Sequence, residues 1–315
     1  MDVGLALPQF DYASSTDAPP PWETTCRWAV RAEQLGFGSV WLADHLFLSM
    51  DFKYGGPPGR HRAVDPLVGL AAIARVATTV RLGTLVLCAQ LRPPRVLAKA
   101  LAGLDRISHG RLVAGLGAGW YEPEFAEAGV AFERPGVRLR QLAEAVEEIR
   151  QTCASGATRP PPLRAACPPI WVGGKGDRLL DVVARHADGW NTVWTWTPEQ
   201  YRERVTVLDR AAERAGRDPA TITRSLGLTT LVGEDEADLA RRYQRLQEAT
   251  PPGVITNMPF IEWRRGRLVG TPEQVREQLG GWADLGISTF VVGLGALPFG
   301  VSDPDDLELV ASALP

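Results

Sequence analysis

Short apolar runs rich in valine, leucine and isoleucine recur along the chain, at Val3–Leu7, Ser39–Leu42, Val80–Leu87, Arg111–Leu116, Pro169–Val172, Gly189–Val193, Ile222–Val232 and Ile287–Val292. Between them lie Ala/Arg/Glu-rich stretches of helical period near 22–35, 66–77, 94–107, 138–152, 178–187, 198–215, 235–249, 272–285 and 304–314. Repeated strand–helix alternation predicts a parallel sheet covered by helices. Eight units predict that the sheet closes, giving an α/β fold of the (β/α)8 TIM-barrel type, in one domain over 1–315.

Local signals agree with that pattern. Thr197-Pro198-Glu199-Gln200 and Thr271-Pro272-Glu273-Gln274 both read as capping boxes with proline at the first helical position. Asp65-Pro66 reads as a third helix start, and Gly36 and Gly286 suit the residue just past a helix end. Three segments exceed a minimal barrel: a proline-rich stretch at 11–21, a long loop at 47–64, and another at 250–270. Connections this long are either functional or disordered. The first two follow strands, where barrel active sites are built. The third, with Trp263 among Arg264, Arg265 and Arg267, is expected to form a mobile cover over the barrel mouth.

Composition narrows the partners. A formal net charge of −3 gives no basic surface for nucleic acid or an anionic membrane. The few lysines, Lys53, Lys99 and Lys175, stand among many arginines, a bias read as genomic. Cys26, Cys88, Cys153 and Cys167 are widely spaced, without a C-x-x-C pair, and suit free thiols in a reducing compartment. No signal peptide and no apolar segment of spanning length is evident, so a cytoplasmic protein is expected. No pattern of metal ligands appears.

Many chemistries are excluded by their missing motifs. There is no H-E-x-x-H and no G-x-S-x-G, and Gly176 follows Gly174-Lys175 where a phosphate-binding P-loop needs serine or threonine. What remains lies at strand ends. Asp44 and His45 follow Val40-Trp41-Leu42-Ala43 where the second strand finishes. That is either an ordinary turn or a place where an imidazole donates a proton near neutral pH. The run Pro169-Ile170-Trp171-Val172-Gly173-Gly174-Lys175-Gly176-Asp177 carries a strand into a glycine-rich turn, with Asp177 expected as the cap of the next helix. Backbone N–H groups there, with Lys175, suit a phosphate. In Gly115-Leu116-Gly117-Ala118-Gly119-Trp120-Tyr121, Gly117 and Gly119 serve either tight packing or room for a flat ring walled by Trp120 or Tyr121.

Taken in order, Gly36–His45, Val80–Thr84, Leu97–Leu112, Gly115–Trp120, Pro169–Gly174 and Ala187–Asn191 resemble the luciferase-like monooxygenase superfamily, in particular its coenzyme F420-dependent oxidoreductases. The resemblance implies a cofactor at the C-terminal mouth of the barrel, a small-molecule substrate and a homodimer. It places Asp44 and His45 beside the reactive ring as catalytic residues. Thr84, Leu85 and Val86 become a bulge beneath the ring, carrying in relatives a non-proline cis peptide, and Gly173 and Gly174 meet the phosphate. Ala118 stands where the family's sugar-phosphate dehydrogenases have a glutamate, which argues against such a substrate. The expected activity is hydride transfer between F420 and a small organic substrate, such as an imine or an enone. An FMN-dependent monooxygenase and a non-catalytic flavin-binding protein are the alternatives.

Overall fold

The computed structural model describes residues 1–10, 22–51, 53–158, 160–163, 167–301, 303 and 305–315. The proline-rich stretch at 11–21 therefore lies outside the described residues. Eight parallel strands close into a ring: β1 (Asp2–Ala6), β2 (Ser39–Leu42), β3 (Arg81–Thr84), β5 (Leu112–Gly117), β6 (Ile170–Gly173), β7 (Gly189–Trp194), β8 (Thr223–Val232) and β10 (Thr289–Gly293), with β10 returning to β1. Two short strands stand outside this count. β4 (Leu87–Cys88) continues the line of β3 against β5, and β9 (Leu268–Gly270) pairs with the far end of β8. Helices α1 (Trp22–Gln34), α2 (Pro66–Val76), α3 (Pro94–Ile107), α4 (Glu122–Glu127), α5 (Pro135–Ala154), α6 (Asp177–His186), α7 (Pro198–Arg214), α8 (Glu236–Ala249), α9 (Phe260–Trp263), α10 (Pro272–Asp284) and α11 (Asp306–Ser312) lie between and after the strands.

Alternation along each strand divides the apolar side chains into two layers. Val40, Leu42, Leu112, Ala114, Ile170 and Val172 pack outward under the helices. Trp41, Val113 and Trp171 point into the barrel. Trp41 and Trp171 stack there with centroids 5.4 Å apart. A methyl group at Gly83 would come within 2.0 Å of Trp41, and one at Gly189 within 2.5 Å of Trp171. The barrel floor is thus two indoles for which neighbouring strands give up their side chains.

Three local expectations change. The run Val80–Leu87 is not one strand: it breaks at Leu85–Val86, whose peptide is cis, as the resemblance implies, and resumes as β4. The Val193–Trp194 peptide is cis as well. Both capping boxes are present, and Asp65 accepts from the N–H groups of Leu67 and Val68. Asp177, however, is the first residue of α6 and not its cap; Gly176 occupies that position without a side-chain hydrogen bond.

The segment 250–270 is a packed unit where a loop is expected. Trp263 is fully buried against Tyr243, whose ring lies 5.0 Å away, in a small separate core with Leu231, Leu239, Leu246, Ile255 and Val269. The backbone at Gly253 abuts Gly55 in the loop after β2, since a Cβ on Gly253 would lie 2.1 Å from the Gly55 carbonyl oxygen. Two thiols far apart in sequence also meet: the sulfurs of Cys153 and Cys167 lie 3.1 Å apart, and all four cysteines are free.

Candidate functional site

The strand ends gather the site at one mouth. Gln9, just beyond β1, clamps the end of β2: its amide accepts from Ala43 N–H (2.7 Å) and donates to the Ala43 carbonyl (2.8 Å). Asp44 follows, buried, and takes both guanidinium nitrogens of Arg92 at 2.6 and 2.9 Å. Its Oδ2 also accepts from Cys88 N–H at 2.9 Å, which holds the chain just after the Leu85–Val86 bulge. Arg92 reaches a second carboxylate, Asp65, at 2.5 Å. Burial opposes the charge on Arg92, but the hydrogen bonds and charges of Asp44 and Asp65 outweigh it and raise its pKa. Burial likewise works against ionised Asp65, and Arg92 brings its pKa below the ordinary value. Cys88, buried and near Asp44 and Glu124, has its thiol pushed up to about 11 and stays protonated.

His45 is the next residue, and its partner is one that sequence reasoning missed. Nδ1 lies 2.8 Å from Oε2 of Glu124, on α4. The other oxygen of Glu124 accepts from Leu46 N–H at 2.5 Å and from Phe47 N–H at 3.4 Å. A carboxylate accepts only, so Nδ1 carries the proton of that bond and Nε2 is left without a protein partner among the described residues. Trp120 packs edge-on to the imidazole at 5.6 Å, and Phe10 lies 6.2 Å away. The wall beside His45 is therefore Trp120. Tyr121 is buried at 3 % exposure, edge-on to Phe47. The signal for Glu124 was present in the acidic, aromatic run after β5, but nothing in it distinguishes Glu124 from Glu122.

Thr84, Leu85 and Val86 form the bulge. The Thr84 hydroxyl donates to the Gly115 carbonyl and accepts from Gly115 N–H, both at 2.9 Å. The space a side chain would fill at Gly117 and Gly173 is taken by Val86, with its methyls 2.6 and 2.8 Å from the Cβ positions. These two glycines make room for the bulge. Gly119, with φ +68°, sits against Phe125 and Cys88.

The turn Gly173–Gly176 is the other half of the mouth. Gly174 (φ +143°) backs onto Leu179, and its carbonyl accepts from Trp190 Nε1 at 2.7 Å. Gly176 has open space where its side chain would be, and no side chain caps α6 behind it. The first N–H groups of a helix attract an anion, and here they are left exposed for one. Asp177 does not oppose such an anion strongly, because Arg204 holds its carboxylate at 2.5 Å. A groove of about 510 Å³ runs beside the turn, lined by Ala118, Arg138, Gly176, Asp177 and Arg178 among others. Lys175 lies 5.8 Å from the Trp196 ring. Lys53, from the loop after β2, stands 4.6 Å over the Trp120 ring. Surrounding protein and then the charge of Lys175 lower the pKa of Lys53. No cluster of metal-binding side chains and no helix long and apolar enough to cross a membrane occurs among the described residues.

Comparison with known proteins gives a consistent picture. The family model described as luciferase-like monooxygenase matches residues 1–289. A phthiodiolone/phenolphthiodiolone dimycocerosates ketoreductase of Mycobacterium kansasii is 25% identical over 350 residues, covering 91% of this chain and 94% of that protein. The crystal structure of a monooxygenase from Streptomyces bottropensis superposes with a TM-score of 0.76 at 25% identity, over 100% of this chain and 98% of that one. An F420-dependent secondary alcohol dehydrogenase, solved with an F420–acetone adduct, superposes with a TM-score of 0.75 at 18% identity, over 100% and 98% of the two chains.

Proposed function

The chain belongs to the luciferase-like monooxygenase family, and from that premise we propose that it is an oxidoreductase passing a hydride between coenzyme F420 and a small organic substrate with a polarised double bond, an imine or an enone. The observation that carries the reading is His45. Its Nδ1 is bound to buried Glu124 and its Nε2 is unpartnered at a strand end, beside Trp120.

The residues present fit the cofactor. The uncapped start of α6 with Gly176 offers backbone donors to a phosphodiester, and Lys175 adds one cation. FMN ends at its phosphate, whereas F420 continues beyond it as an acidic tail. The groove with Arg138 and Arg178 gives such a tail a path outward, which favours F420 over FMN. Gly173, Gly174, Gly117 and Gly119 would serve this site through the backbone, and Thr84, Leu85 and Val86 would hold the cofactor's ring system.

When bound, the deazaflavin supplies or accepts the hydride; the chain does the rest. His45 Nε2 takes the proton from the substrate heteroatom in oxidation and, once the ring has picked up a proton from solvent, gives it to that atom in reduction. Glu124 fixes the ring orientation and steadies the imidazolium once it forms. Asp44 is a positioning residue, because both its oxygens are engaged by Arg92 and Cys88 N–H. Exposed Val68 and Val76 on α2 and Val96 on α3 support a homodimer, and four free thiols support a reducing cytoplasm.

Titrating the protein with reduced F420 and with reduced FMN, followed by fluorescence, tests the reading. Tighter binding of F420 and oxygen-independent turnover are expected. Tighter binding of FMN with oxygen-dependent product formation would make the protein a monooxygenase, the second reading. Binding of a cofactor without turnover on any carbonyl or imine panel would favour a non-catalytic flavin-binding protein.

A further inference from the structure

We propose that Lys53 forms an anion seat at the mouth, and that the substrate carries a negatively charged group held there, against the same indole that meets His45. The inference rests on the site and function proposed above.

Three observations converge. Trp120 meets both groups, the His45 imidazole at 5.6 Å and the Lys53 ammonium at 4.6 Å from its ring centroid, so one indole is shared by the proton-handling residue and a cation. Neither Lys53 nor Lys175 has a carboxylate within ion-pair distance among the described residues, although arginine–carboxylate pairs are common elsewhere in this chain. The ammonium of Lys53 is further steered by Tyr54, whose ring it approaches at 5.8 Å. An ammonium has three donors and accepts nothing, so its natural ligand is a carboxylate, sulfonate or phosphate.

The two lysines divide the work. Lys175 lies on the turn that leads into the uncapped helix, the end suited to the cofactor's phosphate. Lys53 comes from the loop after β2 and lies over Trp120, the ring that His45 also meets. A planar apolar body laid against Trp120, with one anionic group toward Lys53, fits the chemistry of that wall. The Lys53 aliphatic stem and its cation–π contact hold the ammonium ready, so little side-chain freedom is lost on binding.

Benzoate and benzamide, one charged and one neutral at nearly the same shape, separate this proposal from its alternatives. Their binding is measured by isothermal titration calorimetry on the wild type with and without F420, and on Lys53→Met, Lys53→Gln and Lys53→Arg. Benzoate should bind the wild type about tenfold tighter than benzamide. That preference should vanish in Lys53→Met and Lys53→Gln, survive in Lys53→Arg, and weaken with salt. F420 affinity should stay within about twofold in all three variants, which also reports that they fold. Equal binding of the two probes by the wild type, or an unchanged preference in Lys53→Met, would overturn the proposal. So would a loss of F420 affinity in Lys53→Met with benzoate preference intact, since the seat would then belong to the cofactor's phosphate. If the wild type bound no F420 while benzoate preference still followed Lys53, the cofactor reading would fail and the anion seat would stand.

Discussion

The two halves of the mouth are built on opposite principles. On the β2 side the groups at the strand end are tied to one another: Asp44 with Arg92, Arg92 with Asp65, His45 Nδ1 with Glu124, and Glu124 with two backbone N–H groups. On the β6 side the groups facing the mouth are left open: α6 has no side-chain cap, Gly176 has space around it, and Lys175 has no carboxylate at ion-pair distance among the described residues. Fixed, fully satisfied dipoles suit proton chemistry, where geometry must not relax as charge moves. Unsatisfied donors suit a ligand that arrives with its own negative charge. The contrast separates the side that acts from the side that holds.

The sharpest way to break this contrast is His45→Ala. Turnover should fall by about 10²–10⁴, with cofactor affinity changed no more than a few-fold. Steady-state kinetics beside a cofactor titration read both numbers. Normal turnover would mean that the paired side is merely structural.

Arg92→Met tests what the pairing itself contributes. It strands Asp44, whose side chain is only 3 % exposed, as a buried carboxylate without its cation. Removing one partner of a buried pair costs about 3–5 kcal/mol, so the urea midpoint should drop markedly. The double variant Arg92→Met/Asp44→Asn should recover part of that loss. A midpoint within experimental error of the wild type would show that Asp44 is solvated in solution.

A smaller effect is expected from Glu124→Gln, which removes the charge and leaves one acceptor oxygen to serve either Nδ1 or the N–H groups of Leu46 and Phe47. A hydrogen bond to a charged group is stronger than a neutral one by about 1 kcal/mol, so kcat should fall by roughly five- to tenfold. KM should hardly move, because Glu124 acts through His45 and not on the substrate. A change confined to KM would place Glu124 in the binding surface.

The mildest test is on the open side. Gly176 lies at φ −76° with nothing near its missing side chain, so Gly176→Asp meets no steric conflict. Aspartate is also a better helix cap than glycine by a few tenths of a kcal/mol, and the fold should become slightly more stable. The same carboxylate would sit where the phosphate is expected, weakening F420 by about fivefold or more. Gly174→Asp is a poorer test, since a Cβ there would meet Leu179 at 2.6 Å. Stability and affinity rising together would argue that the phosphate lies elsewhere.

Much of this molecule follows from local pattern. The alternation of apolar runs with helical stretches was enough to place all eight barrel strands, and caps such as Thr197 and Thr271 form from side chains three residues apart. Asp44, His45 and the Gly173–Gly176 turn could be read as strand-end residues for the same reason. Where the expectation slipped, a distant residue decided. The run Val80–Leu87 reads as one strand, but Val86 is drawn into the space left by Gly117 and Gly173 on neighbouring strands. Trp263 reads as a loop residue, but Tyr243 on α8 buries it.

The site itself shows the limit most clearly. The residue types and their places at strand ends are written in the sequence, because secondary structure depends on periodicities of two and 3.6 residues that any short window reveals. Their partners are not. Arg92 lies 48 positions from Asp44, and Glu124 lies 79 from His45, in a chain with many arginines and glutamates. Lys53 and Lys175 come from loops after different strands, and only barrel closure brings those loops to one mouth. Ion pairing and packing depend on distance in space, which sequence spacing does not specify once the chain turns back on itself. The sequence determined the barrel and which residues reach its mouth. The tertiary structure decided which of them are spent on one another and which remain free for a ligand.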